Sequence, residues 1–154
     1  GLKVCEVSDG SIEINHVKKC DYISDLSKEF RVVSEVGSKD EKKIIAPYKW
    51  IELMQKELEA GSWKVIAEAR EGGNIGIFNK GGEVRSDLID EILTKIPNEK
   101  IIWEAPKKPQ QVWFIKLLGA NVNLGNIDWQ EVIPLETLRI GLRGDTFYDF
   151  INQK

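Results

Sequence analysis

Hydrophobic positions along the chain fall into two alternating kinds of segment. Short, almost continuously apolar runs rich in β-branched residues occur at Leu2–Val7, Phe30–Val36, Trp63–Ala69, Lys100–Ala105 and Asn121–Leu124. Runs of this length with little polar alternation read as strands covered on both faces. Between them, apolar residues recur at helical spacing. Trp50, Leu53, Met54 and Leu58 form one stripe closed by Gly61, and Leu88, Ile89, Ile92, Leu93 and Ile96 form a second. A third begins at Pro109, a suitable first helical residue, and stops at Gly119. The last opens with Asp128 and Glu131 at capping-box spacing, and Pro134 must break or restart it. Asn15–Phe30 carries a weaker helical pattern. The resulting alternation, βαβαβαβαβα, predicts a parallel sheet with helices outside it. No linker or low-complexity tract divides the 154 residues, so one domain is expected.

The polar residues that interrupt the apolar runs are regular. Glu6, Glu35, Glu68 and Glu104 stand at matching places near the ends of four successive strands, each roughly 30 residues beyond the last, one strand–helix unit. Asn123 takes the matching place in the fifth. Parallel strands deliver their C-terminal ends to one rim, the usual seat of chemistry in such folds. Carboxylates gathered there repel one another and resist desolvation unless a cation neutralises them. A hard divalent ion such as Mg²⁺ meets that need and requires only one or two of the four as ligands. Taken singly, each glutamate could equally cap a loop or face solvent.

Three further features bear on chemistry. Lys39, just past the second strand beside Gly37, could donate a proton or clamp an anion, although "SKDEKK" also reads as a solvated charged loop. "EAREGGNIGIFNKGGEVR" is a long glycine-rich connection, suited either to an anion approaching backbone N–H groups or to a flexible hairpin-like excursion. Within it, Arg70 offers a bidentate grip on phosphate or sulfonate. Gly125 and Asn126 follow the last strand, where α/β barrels often hold phosphate; Arg139, Arg143 and Asp145 lie beyond, the two arginines four residues apart, so that one could simply form a surface salt bridge.

Composition narrows the field. A net charge of -3 and a pI of about 5.4 give no electrostatic grip on nucleic acid or anionic membrane. No apolar run approaches bilayer length, and "GLKVCEVSDG" lacks signal-peptide architecture. Cys5 and Cys20 fit a reducing compartment better than a disulfide framework, so a cytoplasmic location is expected. His16 is the single histidine, which leaves no basis for a histidine triad or a zinc site.

Six ordered motifs, "EVSDGSIEI", "SEVGSKD", "VIAEAREGGNIGIF", "IIWEAPKKPQQVWFI", "NVNLGNI" and "LETLRIGLRGDTF", together resemble those of the phosphosulfolactate synthase family over essentially the whole chain. The resemblance implies a (β/α)₈ TIM-type barrel and the Mg²⁺-dependent addition of sulfite to phosphoenolpyruvate, giving (R)-2-phospho-3-sulfolactate for coenzyme M or sulfolactate biosynthesis. It implies a carbon–sulfur lyase with small-molecule substrates; a homo-oligomer is expected, and composition offers no nucleic-acid or membrane partner. The resemblance places the catalytic acid at Lys39 and has Arg70 and the loop around Asn126 hold the anionic substrates; the residues themselves add Asn123, Gly125 and Arg143 as substrate contacts, with Glu6, Glu35, Glu68 and Glu104 as metal candidates, not all of them ligands. Family chains run to about 250 residues, the usual length of this barrel. By that measure this sequence begins at the fourth strand, with about five βα units present and the first three absent. A fragment, or a sheet completed by another chain, is therefore expected. The competing readings are a related barrel enzyme acting on another phosphorylated enolizable acid, and a non-catalytic relative akin to plant heat-stress-associated proteins.

Overall fold

The computed structural model describes residues 1–10, 12–38 and 44–151. Five strands, β1 (Val4–Val7), β2 (Arg31–Val36), β3 (Lys64–Ala67), β4 (Ile101–Glu104) and β5 (Leu124–Gly125), form one sheet in the order β1-β2-β3-β4-β5. Every neighbouring pair is parallel. The helices are α1 (His16–Leu26), α2 (Pro47–Glu59), α3 (Ser86–Leu93), α4 (Lys108–Leu118), α5 (Val132–Arg139) and α6 (Phe147–Ile151). Doubly wound sheets reverse their strand order at a switch point; here chain neighbours are sheet neighbours throughout.

Local chemistry explains the element ends. Asn15 caps α1 by accepting from the Val17 amide at 2.8 Å. Pro47 opens α2, and Gly119 closes α4 with φ 89°. Asp128 caps only a short 3₁₀ turn, Trp129–Glu131, accepting from Gln130 N at 2.8 Å. Pro134 then falls in the first turn of α5, where a missing N–H costs nothing, so the proline restarts the helix.

Successive residues of a strand face opposite sides of the sheet, and the two sides differ here. The main core takes Val36, Val65, Ala67, Ile101 and Trp103 from one side, packed on Trp50, Met54, Ile89, Ile92 and Phe114 from the helices. Trp103 stacks on Phe114 with ring centroids 5.2 Å apart, and burying Phe114 contributes about 2–3 kcal/mol. Val33 and Ile66, of the other parity, lie outside that cluster, while Val4 and Glu6 are exposed. The expectation of strands covered on both faces holds for β2 and β3, where Val33 and Ile66 are buried as well as Val36 and Ala67, and fails at β1, where Val4 and Glu6 are exposed. An apolar run records that both faces are apolar, not which layer covers the second.

The glycine-rich connection after β3 is a pinned hairpin-like excursion. Ile77 N donates back to the Glu68 carbonyl at 3.1 Å, and Phe78 pairs with Val84 in an antiparallel bridge. From α4, the buried Gln110 amide donates to the carbonyls of Gly73 (2.8 Å) and Gly82 (3.1 Å).

Beneath the first loop sits a buried cation. Lys19 of α1 pairs with Glu57 of α2 at 2.9 Å and with Asp9 at 3.0 Å, and also donates to the Glu35 carbonyl on β2. Burial works against the charged amine, but Glu57 and Asp9 outweigh it and hold Lys19 above its ordinary pKa. His16 Nε2 lies 3.1 Å from Glu57 Oε1. Among the described residues no helix is long and apolar enough to cross a membrane.

Candidate functional site

At the C-terminal ends of the strands lies a cavity of about 740 Å³, lined by Glu6, Glu35, Glu68, Arg70, Glu104 and Asn126, with Glu71, Gly72 and Asn74 completing its wall. Strand register explains the convergence. Glu6 pairs with Val33, and Glu35 with Ile66, so each glutamate sits two residues below the next along the sheet. Ala67 pairs with Trp103, which brings Glu68 and Glu104 level. The first three are staggered by two residues, as tilted barrel-type strands require, and the last two are level. An offset of two preserves side-chain parity, so all four face the same side of the sheet, the one opposite the helical core.

The placement of the other predicted residues is mixed. Glu104 pairs with Gly125, so Gly125 and not Asn123 occupies the corresponding place on β5. A Cβ on Gly125 would lie 2.9 Å from Ile102 Cγ2, and its absence keeps the ground beside Glu104 clear. Asn123 points away from the cavity, its side-chain amide donating to the Ile101 carbonyl at 3.1 Å near the start of β4. Arg143 lies on the exposed helical side, where Nε donates to Thr137 Oγ1 at 2.9 Å. Arg139 ends α5 within 3.8 Å of Glu136, so the two arginines share no helical face. Lys39 lies outside the described residues.

Within the cavity the carboxylates are held individually. Glu35 is buried and accepts from Ser8 Oγ at 2.8 Å. Glu68 Oε1 accepts from the Arg70 amide at 2.6 Å, and Glu104 Oε2 from the Ala69 amide at 2.7 Å. Burial raises the Glu104 pKa and the charge of Glu35 adds to the rise, while the Ala69 and Arg70 amides and the Asn126 side chain oppose it. Among the described residues the only non-glycine positions with positive φ are Arg70 (59°) and Asn126 (53°), and both line this cavity. Asparagine tolerates that conformation, but arginine adopts it at a cost of order 1 kcal/mol or more; such strain clusters at functional sites. Among the described residues no three His, Cys, Asp or Glu side chains are grouped so as to hold a metal ion.

Sequence reasoning missed Ser8, Asp9, Lys19 and Asn74. "EVSDG" carries the first two in plain view, but only the folded chain brings them against Glu35 and Lys19.

Comparison with known proteins places this geometry in context. The chain is 44% identical over 151 residues to phosphosulfolactate synthase of Bacillus subtilis, covering 96% of this chain and 60% of the relative. It is 45% identical over 150 residues to the Methanothermobacter thermautotrophicus phosphosulfolactate synthase, covering 95% of this chain and 58% of that one. For the Methanocaldococcus jannaschii phosphosulfolactate synthase the identity is 44% over 151 residues, with shares of 96% and 60%. The chain thus spans about three-fifths of the length of the curated relatives it matches. A family model described as (2R)-phospho-3-sulfolactate synthase (ComA) matches residues 1–145, and a chain matched over nearly its whole length, with one glutamate from each of four successive strand–helix units around one cavity, belongs to that family.

Proposed function

We propose that the full-length protein is a cytoplasmic (β/α)₈-barrel synthase of the carbon–sulfur lyase class, which adds sulfite to phosphoenolpyruvate to give (R)-2-phospho-3-sulfolactate. The observation that carries this reading is the gathering of Glu6, Glu35, Glu68 and Glu104 on one sheet face, in a chain of this family. Unreversed strand order and the two-residue stagger support an arc of a barrel that three further βα units complete.

In the addition, the sulfur lone pair of sulfite forms a bond to C3, and the C2–C3 π pair moves toward C2, where the adjacent carboxylate holds it as an enolate. A proton delivered to C2 completes the product, and nothing leaves. An acidic wall admits so anionic a substrate only when positive charge accompanies it. Among the described residues the candidate donors are carboxylate oxygens that form no three-ligand cage, which suits Mg²⁺, an ion content with one or two protein carboxylates. We assign Glu6 and Glu35 to it: they stand on adjacent strands, and Glu6 has no side-chain partner among the described residues. When bound, the ion supplies positive charge beside the enolate oxygens.

The remaining residues have separate tasks. Glu68 and Glu104 hold the amides of Ala69 and Arg70 and so fix the loop that presents Arg70 at the cavity. Arg70 and Asn126 bind the anionic substrates. Lys39, assigned by its place in "EVGSKD", donates the proton to C2.

Incubation of the full-length protein with phosphoenolpyruvate, sulfite and Mg²⁺ should yield a sulfonated phosphate ester detectable by ³¹P NMR and mass spectrometry. Chelation of the metal should abolish it. Lys39→Ala should lower kcat about 100-fold or more with little change in KM. A purified, folded protein that forms no sulfonate would instead favour a related reaction on another phosphorylated enolizable acid.

A further inference from the structure

Next to the acidic cavity lies a second one of about 370 Å³, and Asn74 lines both. Its walls are largely apolar, formed by Ile44, Ile45, Trp50, Ile75 and Phe78. Among the described residues the charged side chains on its lining are both cations, Lys80 and Arg85.

Arg85 is the informative residue. It is half-buried at the end of the pinned excursion, and Nη1 donates to the Gly76 carbonyl at 2.8 Å. Gly76 is itself fixed, because its neighbour Ile77 bonds back to the Glu68 carbonyl. No carboxylate pairs with Arg85 among the described residues, and burial holds its guanidinium below the ordinary pKa. A guanidinium carries five N–H donors, and one backbone carbonyl leaves most of them to be used. Removing a cation from water without a counter-charge is costly, and the apolar walls strengthen its pull on any anion that enters. Among the described residues the two adjoining cavities thus divide charge between them: five glutamates beside one arginine in the first, two cations in the second.

We propose that this second cavity is the binding seat for the phosphoryl group of the substrate, with Arg85 as its principal cation. The inference rests on the synthase reading and deepens it. A phosphoryl dianion is repelled by a wall carrying Glu6, Glu35, Glu68, Glu71 and Glu104, and an adjoining site with Arg85 and Lys80 accepts it. The molecule then spans the boundary at Asn74, its carboxylate and reacting carbons toward the glutamates. Arg85 acts on binding and not on the chemical step, in contrast to Lys39.

The test compares wild type with Arg85→Gln and Arg85→Lys in the full-length protein. Arg85→Gln should raise KM for phosphoenolpyruvate at least tenfold, leave KM for sulfite within twofold, and change kcat little; Arg85→Lys should recover part of the loss. Inorganic phosphate should compete with phosphoenolpyruvate, with its inhibition constant weakened at least tenfold by Arg85→Gln. An unchanged KM for phosphoenolpyruvate, or weakening confined to sulfite, overturns the assignment. Because Arg85 also ties the excursion through Gly76, thermal melts and the charge-retaining Lys variant separate lost anion contact from lost structure. If wild type makes no sulfonate, titration calorimetry with inorganic phosphate still decides. Binding that Arg85→Gln abolishes keeps the anion seat while the synthase reading falls, and binding that Arg85→Gln leaves intact removes the seat.

Discussion

Gly76 permits no side chain. Its φ is +65°, and a Cβ there would lie 1.8 Å from the Glu68 carbonyl oxygen. Gly76→Ala should therefore force the excursion off β3 and cost about 2 kcal/mol or more, read as a lowered urea midpoint. A midpoint unchanged within error would show that the excursion relaxes freely. Glu104 makes a prediction of opposite sign. Its pKa in the folded protein is raised by burial and by Glu35, so the folded state holds its proton more tightly than the unfolded chain. Stability from this group is greatest at low pH and falls as pH climbs from the ordinary carboxylate range, about 4.3, through the raised value. Glu104→Gln lacks that fall, so its Tm relative to wild type should rise as pH climbs above the ordinary carboxylate range and level off once the raised value is passed. A Tm difference that stays flat over this range would show that the amides of Ala69 and Arg70 already compensate the burial.

Elements depend on contacts that no single segment announces. Lys19 joins α1, α2, β2 and the loop after β1 through one ammonium group, and its partner Glu57 is equally buried. Lys19→Met leaves Glu57 and Asp9 without their cation and should cost about 3–5 kcal/mol in urea denaturation. A loss below about 1 kcal/mol would mean that water reaches the pair. The same residue explains why α1 was the faintest helix in the sequence: a lysine occupies its buried face, so the apolar stripe is broken where packing is tightest. The glutamates were legible because each interrupts an apolar run at a fixed distance from a turn. The Asn123-for-Gly125 exchange was not, because sliding β5 along β4 leaves the sequence pattern almost unchanged. Arg85 was invisible for a different reason: the role proposed for it depends on the apolar walls and the Gly76 carbonyl that the fold places around it, which is a property of space.

The whole molecule has one finished face and one unfinished one. Helices cover the side of the sheet that carries Trp103 and Val65, while β1 and β5 are edge strands and Leu2 and Val4 are exposed at the first. Val132 and Ile133 of α5 are exposed as well. Exposed apolar surface next to unpaired strand edges is a docking or association surface by its physics. If the missing cover is three βα units, residues 1–154 alone should bind an apolar fluorescent dye strongly. Co-expression with a segment supplying those units from a family relative should then give a 1:1 complex, remove the dye binding and raise Tm. Sedimentation separates the competing outcome, in which a second copy closes the edges and residues 1–154 run as a compact dimer that ignores both the dye and the added segment. That result would detach the acidic cavity from any eight-unit barrel, because the strands facing Glu6 would then come from a copy of β1 or β5 rather than from a further βα unit.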